Sequence, residues 1–305
     1  MTFTTLIDAS TLAERLSDPS MLVVDCRFDL SDAAAGQREY IERHIPGAVY
    51  ASLDRDLSGT KNGRNGRHPE PDPASLIATF GRLGIDGSVQ VVAYDQDSGM
   101  YASRLWWLLR WLGHDAVAVL DGGFARWQAA QYPVRSGLET RPPRTFTGAP
   151  RAGWMVNADE VGRVVATGGS LLVDARAPER YRGESETLDR TPGHIPGAVN
   201  HFFKWNLSDA GTFRTPAEIR ERLRTSIGDA PPERVICYCG SGVTACHNLL
   251  AFEHAGLSGS RLYVGSWSEW SSDPARPVET GAASGVSSPN QKDLKTADDT
   301  SDRQE

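Results

Sequence analysis

Cysteine is scarce, with four in 305 residues. That is too few for a disulfide framework in a chain this long, so reduced thiols are expected and each needs its own explanation. No apolar run approaches the ~20 residues of a membrane span, and no membrane partner is expected. The first twenty residues lack the basic start and apolar block of a secretory leader, which makes the cytoplasm the expected location. Positive charge is also in short supply: 32 Lys and Arg face 39 Asp and Glu, a net charge of −7. That balance argues against a general nucleic-acid binder. It also repels anions at long range, so an anionic substrate would need cations gathered at its own site.

What remains is ordinary globular composition, 39% hydrophobic and 23% charged, in a chain long enough for two domains. The chain is written twice. LVVDCR at 22–27 echoes LVDAR at 172–176, and HIPGAVY at 44–50 echoes HIPGAVN at 194–200. VVAYD at 91–95 echoes VICYC at 235–239, and LDGGFARW at 120–127 echoes YVGSWSEW at 263–270. The four offsets lie between 143 and 150 residues and keep their order, the mark of a duplicated domain.

Each half shares one grammar. Short apolar runs (22–24, 89–94, 116–120) alternate with helical patterns (11–16, 101–112). The expected fold class is therefore α/β, two tandem domains, each a parallel sheet flanked by helices. Ligands of such sheets bind beyond the carboxyl ends of the strands. The Pro-, Gly- and Arg-rich segment 131–154 shows no period and reads as the link. The domains are set at 1–135 and 154–279, with 136–153 between them. The polar, aromatic-free tail 280–305 is expected to be disordered.

One stretch, VICYCGSGVTA at 235–245, puts Cys239 where an apolar run gives way to a glycine-rich turn. ACHNLLAFEHAG at 245–256 then reads as a helix that Gly256 ends. In a strand–loop–helix of this kind, Gly240 and Gly242 let successive N–H groups around Ser241, Val243 and Thr244 point inward as an anion nest. The helix start adds partial positive charge. A free thiol is only about 3% thiolate at pH 7, and such a nest favours ionisation. It would equally favour the anionic outer sulfur of a persulfide, for which the two glycines leave room. Cys239 is thus the candidate nucleophile. Cys26, Cys237 and Cys246 read as buried structural residues. A zinc site from Cys237, Cys239, Cys246 and His247 would need C-x-C spacing and ligands split between strand and helix, so no metal or other cofactor is expected. A cysteine phosphatase needs C-x₅-R, and Ala245 stands where that arginine belongs. A carrier that holds sulfur without turnover is the other alternative.

These residues resemble the tandem-domain rhodanese-type sulfurtransferases over about residues 5–280. The resemblance rests on VICYCGSGVTA, both HIPGAV segments, DAR at 174–176 and the stretch 263–270. It implies an enzyme that moves sulfane sulfur from a small anionic donor through a Cys239 persulfide. The acceptor would be a thiol, on a dithiol protein or a small molecule, or cyanide. It also implies a catalytically silent first half, since Asp95 stands where that half would need its cysteine. The neutral loop Gly-Ser-Gly-Val-Thr is similar to that of 3-mercaptopyruvate enzymes, whereas thiosulfate specialists carry basic residues there. The family binds the donor carboxylate through arginines that match Arg180 and Arg190, a task suited to a planar fork. Asp56 and His68 match the residues that join the loop serine, Ser241, in a proton relay. His44, His194, Trp267 and Trp270 are expected to serve packing.

Overall fold

Wholly apolar runs become inner strands, because a parallel sheet is covered on both faces. In the computed structural model, which describes residues 2–282, ten strands form two sheets. The first holds β1 (Leu6–Ile7), β2 (Met21–Asp25), β3 (Val49–Tyr50), β4 (Gln90–Tyr94) and β5 (Val117–Leu120). The second holds β6 (Met155–Val156), β7 (Leu171–Asp174), β8 (Val199–Asn200), β9 (Val235–Tyr238) and β10 (Arg261–Tyr263). The orders, β1-β5-β4-β2-β3 and β6-β10-β9-β7-β8, are the same path traced twice. All pairings are parallel; β9 lies between β7 and β10, with Cys237 opposite both Val173 and Leu262.

Helices α1 (Ala9–Arg15), α2 (Ala35–Glu42), α3 (Pro73–Arg82), α4 (Ala102–Trp111) and α5 (Gly123–Ala129) serve the first half. Helices α6 (Ala158–Thr167), α7 (Pro178–Tyr181), α8 (Pro216–Ile227), α9 (Thr244–His254) and α10 (Ser266–Trp270) serve the second. Several starts are set locally. Asp8 accepts from Thr11 N–H, and Asn157 with Glu160 and Thr215 with Glu218 form reciprocal capping boxes. Among the described residues no helix is long and apolar enough to cross a membrane.

The repeat extends to side-chain contacts. Arg27 grips Asp25 at 2.6 Å and Arg43 O at 2.6 Å; Arg176 grips Asp174 at 2.7 Å and Gly193 O at 2.7 Å. His44 stacks on Tyr40 and His194 on Tyr181, each ring buried. Occurring in both halves, these contacts are structural.

The halves meet along α4 and α9, which are apolar and buried almost all round. One hydrophobic core, from Leu22 to Val264, runs through both. The connecting segment 131–154 has no helix or strand and is strapped to the first half. Arg141 reaches Met21 O at 2.7 Å, and Arg151 pairs with Asp115 at 2.7 Å. At the far end Gly281 N–H donates to Arg182 O at 2.9 Å. The rest of the expected tail, 283–305, lies outside the described residues.

Candidate active site

Strand β9 ends at Tyr238, and Cys239 follows, 2% exposed. The loop curls back on its own sulfur. Gly242 N–H donates to Cys239 Sγ at 3.1 Å and Ser241 N–H at 3.5 Å. Gly242 makes the curl possible: its φ is +77°, and a Cβ there would lie 2.4 Å from Val264 O. The outer side of the loop is stitched to α10. Trp267 N–H donates to Cys239 O and Ser268 N–H to Gly240 O, both at 2.9 Å. Val243 is buried ahead of α9, and Thr244 opens that helix, whose start has no side-chain cap. Its positive end therefore backs the sulfur.

The first half contributes the next layer. His68 Nδ1 lies 2.8 Å from Ser241 Oγ, across 173 residues of sequence. Burial pushes the His68 pKa down to about 3, with Asp54 opposing and Arg104 adding to the fall. The ring is therefore neutral at physiological pH. Its Nε2 lies 3.6 Å from Asp54 Oδ1, and Lys61 pairs with the same carboxylate at 2.9 Å. With the ring hydrogen on Nε2 toward Asp54, Nδ1 is free to accept the Ser241 hydroxyl proton.

Two guanidiniums converge over the loop. A Cβ on Gly240 would lie 2.7 Å from an Arg67 nitrogen and 3.7 Å from Arg180. Arg180, in α7, pairs with Glu186 at 2.7 Å. Arg67 pairs with Asp189, and its own N–H donates to Ser268 Oγ at 3.0 Å. Beside them opens a cavity of about 390 Å³ lined by Phe28, Asp54, Lys61, Arg67, His68 and Asp189. Asp54, His68 and Arg67 thus line this cavity, and His68 and Arg67 link it to the loop of Cys239 through Ser241 and Gly240.

The rhodanese-like domain model matches the chain twice, at residues 8–130 and 157–273. A Pseudomonas aeruginosa relative named a probable 3-mercaptopyruvate sulfurtransferase is 47% identical over 278 residues, 90% of this chain and 98% of its own. The chain belongs to the rhodanese family of sulfurtransferases. The rat thiosulfate sulfurtransferase is 32% identical, covering 92% of this chain and 96% of its own. The 3-mercaptopyruvate sulfurtransferase structure from Leishmania major superposes with a TM-score of 0.78 at 32% identity, covering 88% of this chain and 74% of its own.

The structure of this sulfurtransferase departs from the sequence reading at two positions. Asp56 does not meet His68. Its buried carboxylate is held by Ser52 N–H at 2.9 Å, Arg55 at 3.0 Å and Arg82 at 2.8 Å. Asp54 stands by the imidazole instead, because Arg55 and Arg82 draw Asp56 toward α3. Arg190 is exposed and makes no hydrogen bond or ion pair among the described residues, while its neighbour Asp189 takes the inward position. The second cation at the loop is Arg67, from the other half, which the sequence reading passed over; its one signal was a charge beside His68. Arg182 turns away to Glu184.

Two further features lay outside the sequence reading. Arg104, wholly buried in α4, donates to Gly242 O, His68 O and Pro69 O, each at 3.3 Å, and to Leu57 O at 3.4 Å. It fastens the His68 segment to the sulfur loop. In the first half, the Asp95 carboxylate accepts N–H groups from Gly99, Tyr101 and Ala102 at 2.7–3.1 Å. That nest is filled by its own side chain.

Proposed function

We propose that this sulfurtransferase takes sulfur from 3-mercaptopyruvate, with thiosulfate as a second donor, and passes it from a Cys239 persulfide to a thiol or to cyanide. The observation that carries this reading is the 2.8 Å contact between His68 and Ser241, one loop turn from a sulfur that receives two amides. The Cys239 thiolate attacks the donor sulfur. The carbon–sulfur bond breaks, and its electron pair passes into the enolate of pyruvate. Ser241, backed by His68 and Asp54, is placed to hydrogen-bond that enolate and to relay to it the proton that the new persulfide, Cys–S–SH, gives up as it ionises. Thiosulfate releases sulfite, already a stable anion, and has no such need. A proton relay therefore favours the keto acid. Arg180 and Arg67 hold its carboxylate. Gly240, Gly242, Val243 and Thr244 bound the space for the second sulfur. An acceptor thiolate then attacks the outer sulfur and restores Cys239. The four cysteines, all unpaired and buried, suit a reducing compartment, and we place the protein in the cytoplasm.

The test pairs mass spectrometry with steady-state rates. Incubation with 3-mercaptopyruvate adds about 32 mass units, one sulfur, to the peptide bearing Cys239. Turnover continues over many cycles when a dithiol is supplied. Cys239→Ser abolishes both effects with either donor, and Arg180→Ala raises KM for mercaptopyruvate. Loading without repeated turnover would leave a sulfur carrier in place of an enzyme.

A further inference from the structure

Asp189 stands where the two halves meet, its carboxylate between Arg67 of the first and Arg180 of the second. Its side chain is 8% exposed, and Arg180 is 3.6 Å from Oδ2. That oxygen is buried and has no hydrogen-bond partner among the described residues, and the same holds for Arg67 Nε. The acid is thus gripped on one side and loosely matched on the other. Behind it Glu186 holds Arg180 and Arg176, and Arg176 holds Asp174. Arg67, Arg180 and Arg176 therefore face Asp189, Glu186 and Asp174, a cluster with no net charge. The other charges lining the cavity, Asp54 and Lys61, pair with each other.

A donor anion entering this cluster meets no surplus of positive charge until it displaces Asp189 from the two guanidiniums. Even then it lies close to that carboxylate. Coulomb repulsion scales with the product of the charges, so Asp189 opposes a dianion twice as strongly as a monoanion at the same place. We propose that Asp189 is a specificity-determining residue, a resident counter-anion that makes the donor site favour a singly charged keto acid over doubly charged thiosulfate. This rests on the sulfurtransferase reading above and adds what sets its choice of donor.

The test is the ratio of kcat/KM for thiosulfate to that for 3-mercaptopyruvate, with one acceptor throughout. In Asp189→Asn the ratio rises on the order of tenfold, carried by KM, with kcat little changed. Asp189→Glu keeps the charge and the wild-type ratio. Arg67→Gln leaves the acid with one cation fewer, and the ratio falls. Loading of Cys239 by mercaptopyruvate in each variant, read by mass, shows that the loop is intact. If Asp189→Asn alters both donors by the same factor, or lowers the ratio, the proposal is wrong. Should that variant not fold, Arg67→Gln decides, and an unchanged ratio there overturns it. Failure of the wild type to load from either donor would instead overturn the sulfurtransfer chemistry itself.

Discussion

Asp54 and Asp56 lie two residues apart in a segment, 51–72, that has no helix or strand. Asp54 stands 3.6 Å from the His68 ring, whereas Asp56 is locked between Arg55 and Arg82. Sequence spacing could not separate them, because an irregular segment has no period to assign side chains to faces. The contact of Ser241 with His68 was legible for the opposite reason: each is the one residue of its kind in its segment. The two acids should answer substitution differently. Asp54→Asn is expected to lower kcat for mercaptopyruvate about 10–100-fold and to leave thiosulfate turnover nearly unchanged. Asp56→Asn should keep both activities and lower unfolding stability by about 1–3 kcal/mol, since a buried ion pair loses one partner. Steady-state kinetics and urea titration check the pair, and a relay defect in Asp56→Asn would restore the sequence assignment.

At the scale of elements, the sulfur loop is self-contained. Strand β9, the turn and α9 are consecutive, so the amides that meet the sulfur come from residues two and three positions beyond it. Local backbone conformation settles that geometry, and Gly242 is its hinge. Gly242→Ala would put a Cβ at 2.4 Å from Val264 O on a backbone with φ +77°. We expect a loss of about 1–3 kcal/mol in stability. Turnover should fall on the order of 100-fold, because the loop can no longer aim its amides. Thermal unfolding and rates on mercaptopyruvate test this, and an alanine variant with wild-type rates would contradict it. Helix α4 was harder to read. Its pattern announced a helix, and the observed Ala102–Trp111 lies within the expected 101–112. Arg104 in its midst drew no reading from the sequence. Its full burial follows from four backbone carbonyls that converge from both halves, an arrangement no helical period contains.

For the whole molecule, one core shared by both halves buries several histidines in neutral form. Burial lowers the pKa of His68 and His247 from 6.5 to about 3 and that of His201 to about 4. In the unfolded chain these rings take up protons near 6.5, while the folded protein refuses them until well below. The unfolded state therefore binds more protons in that window, and stability falls as pH drops from about 6.5 toward 4. The melting temperature is expected to be level above about pH 7 and to decline through pH 6 and 5. A level profile down to pH 5 would show that these rings are not held neutral. The proposed relay needs neutral His68, so acid is expected to lower activity through unfolding before it protonates the ring.

The sequence alone determined the doubled α/β fold and the glycine turn around Cys239. Each is written in contiguous residues: apolar runs of strand length, a repeated order of motifs, and glycines placed for one tight turn. Only the tertiary structure decided which groups of the first half lie against the sulfur loop of the second. Asp54 displaced Asp56, Arg67 took the place expected of Arg190, Arg104 became the fastening between halves, and Asp189 became their counter-anion. Those choices depend on how two domains pack across a shared core, where neighbours in space lie more than a hundred residues apart along the chain.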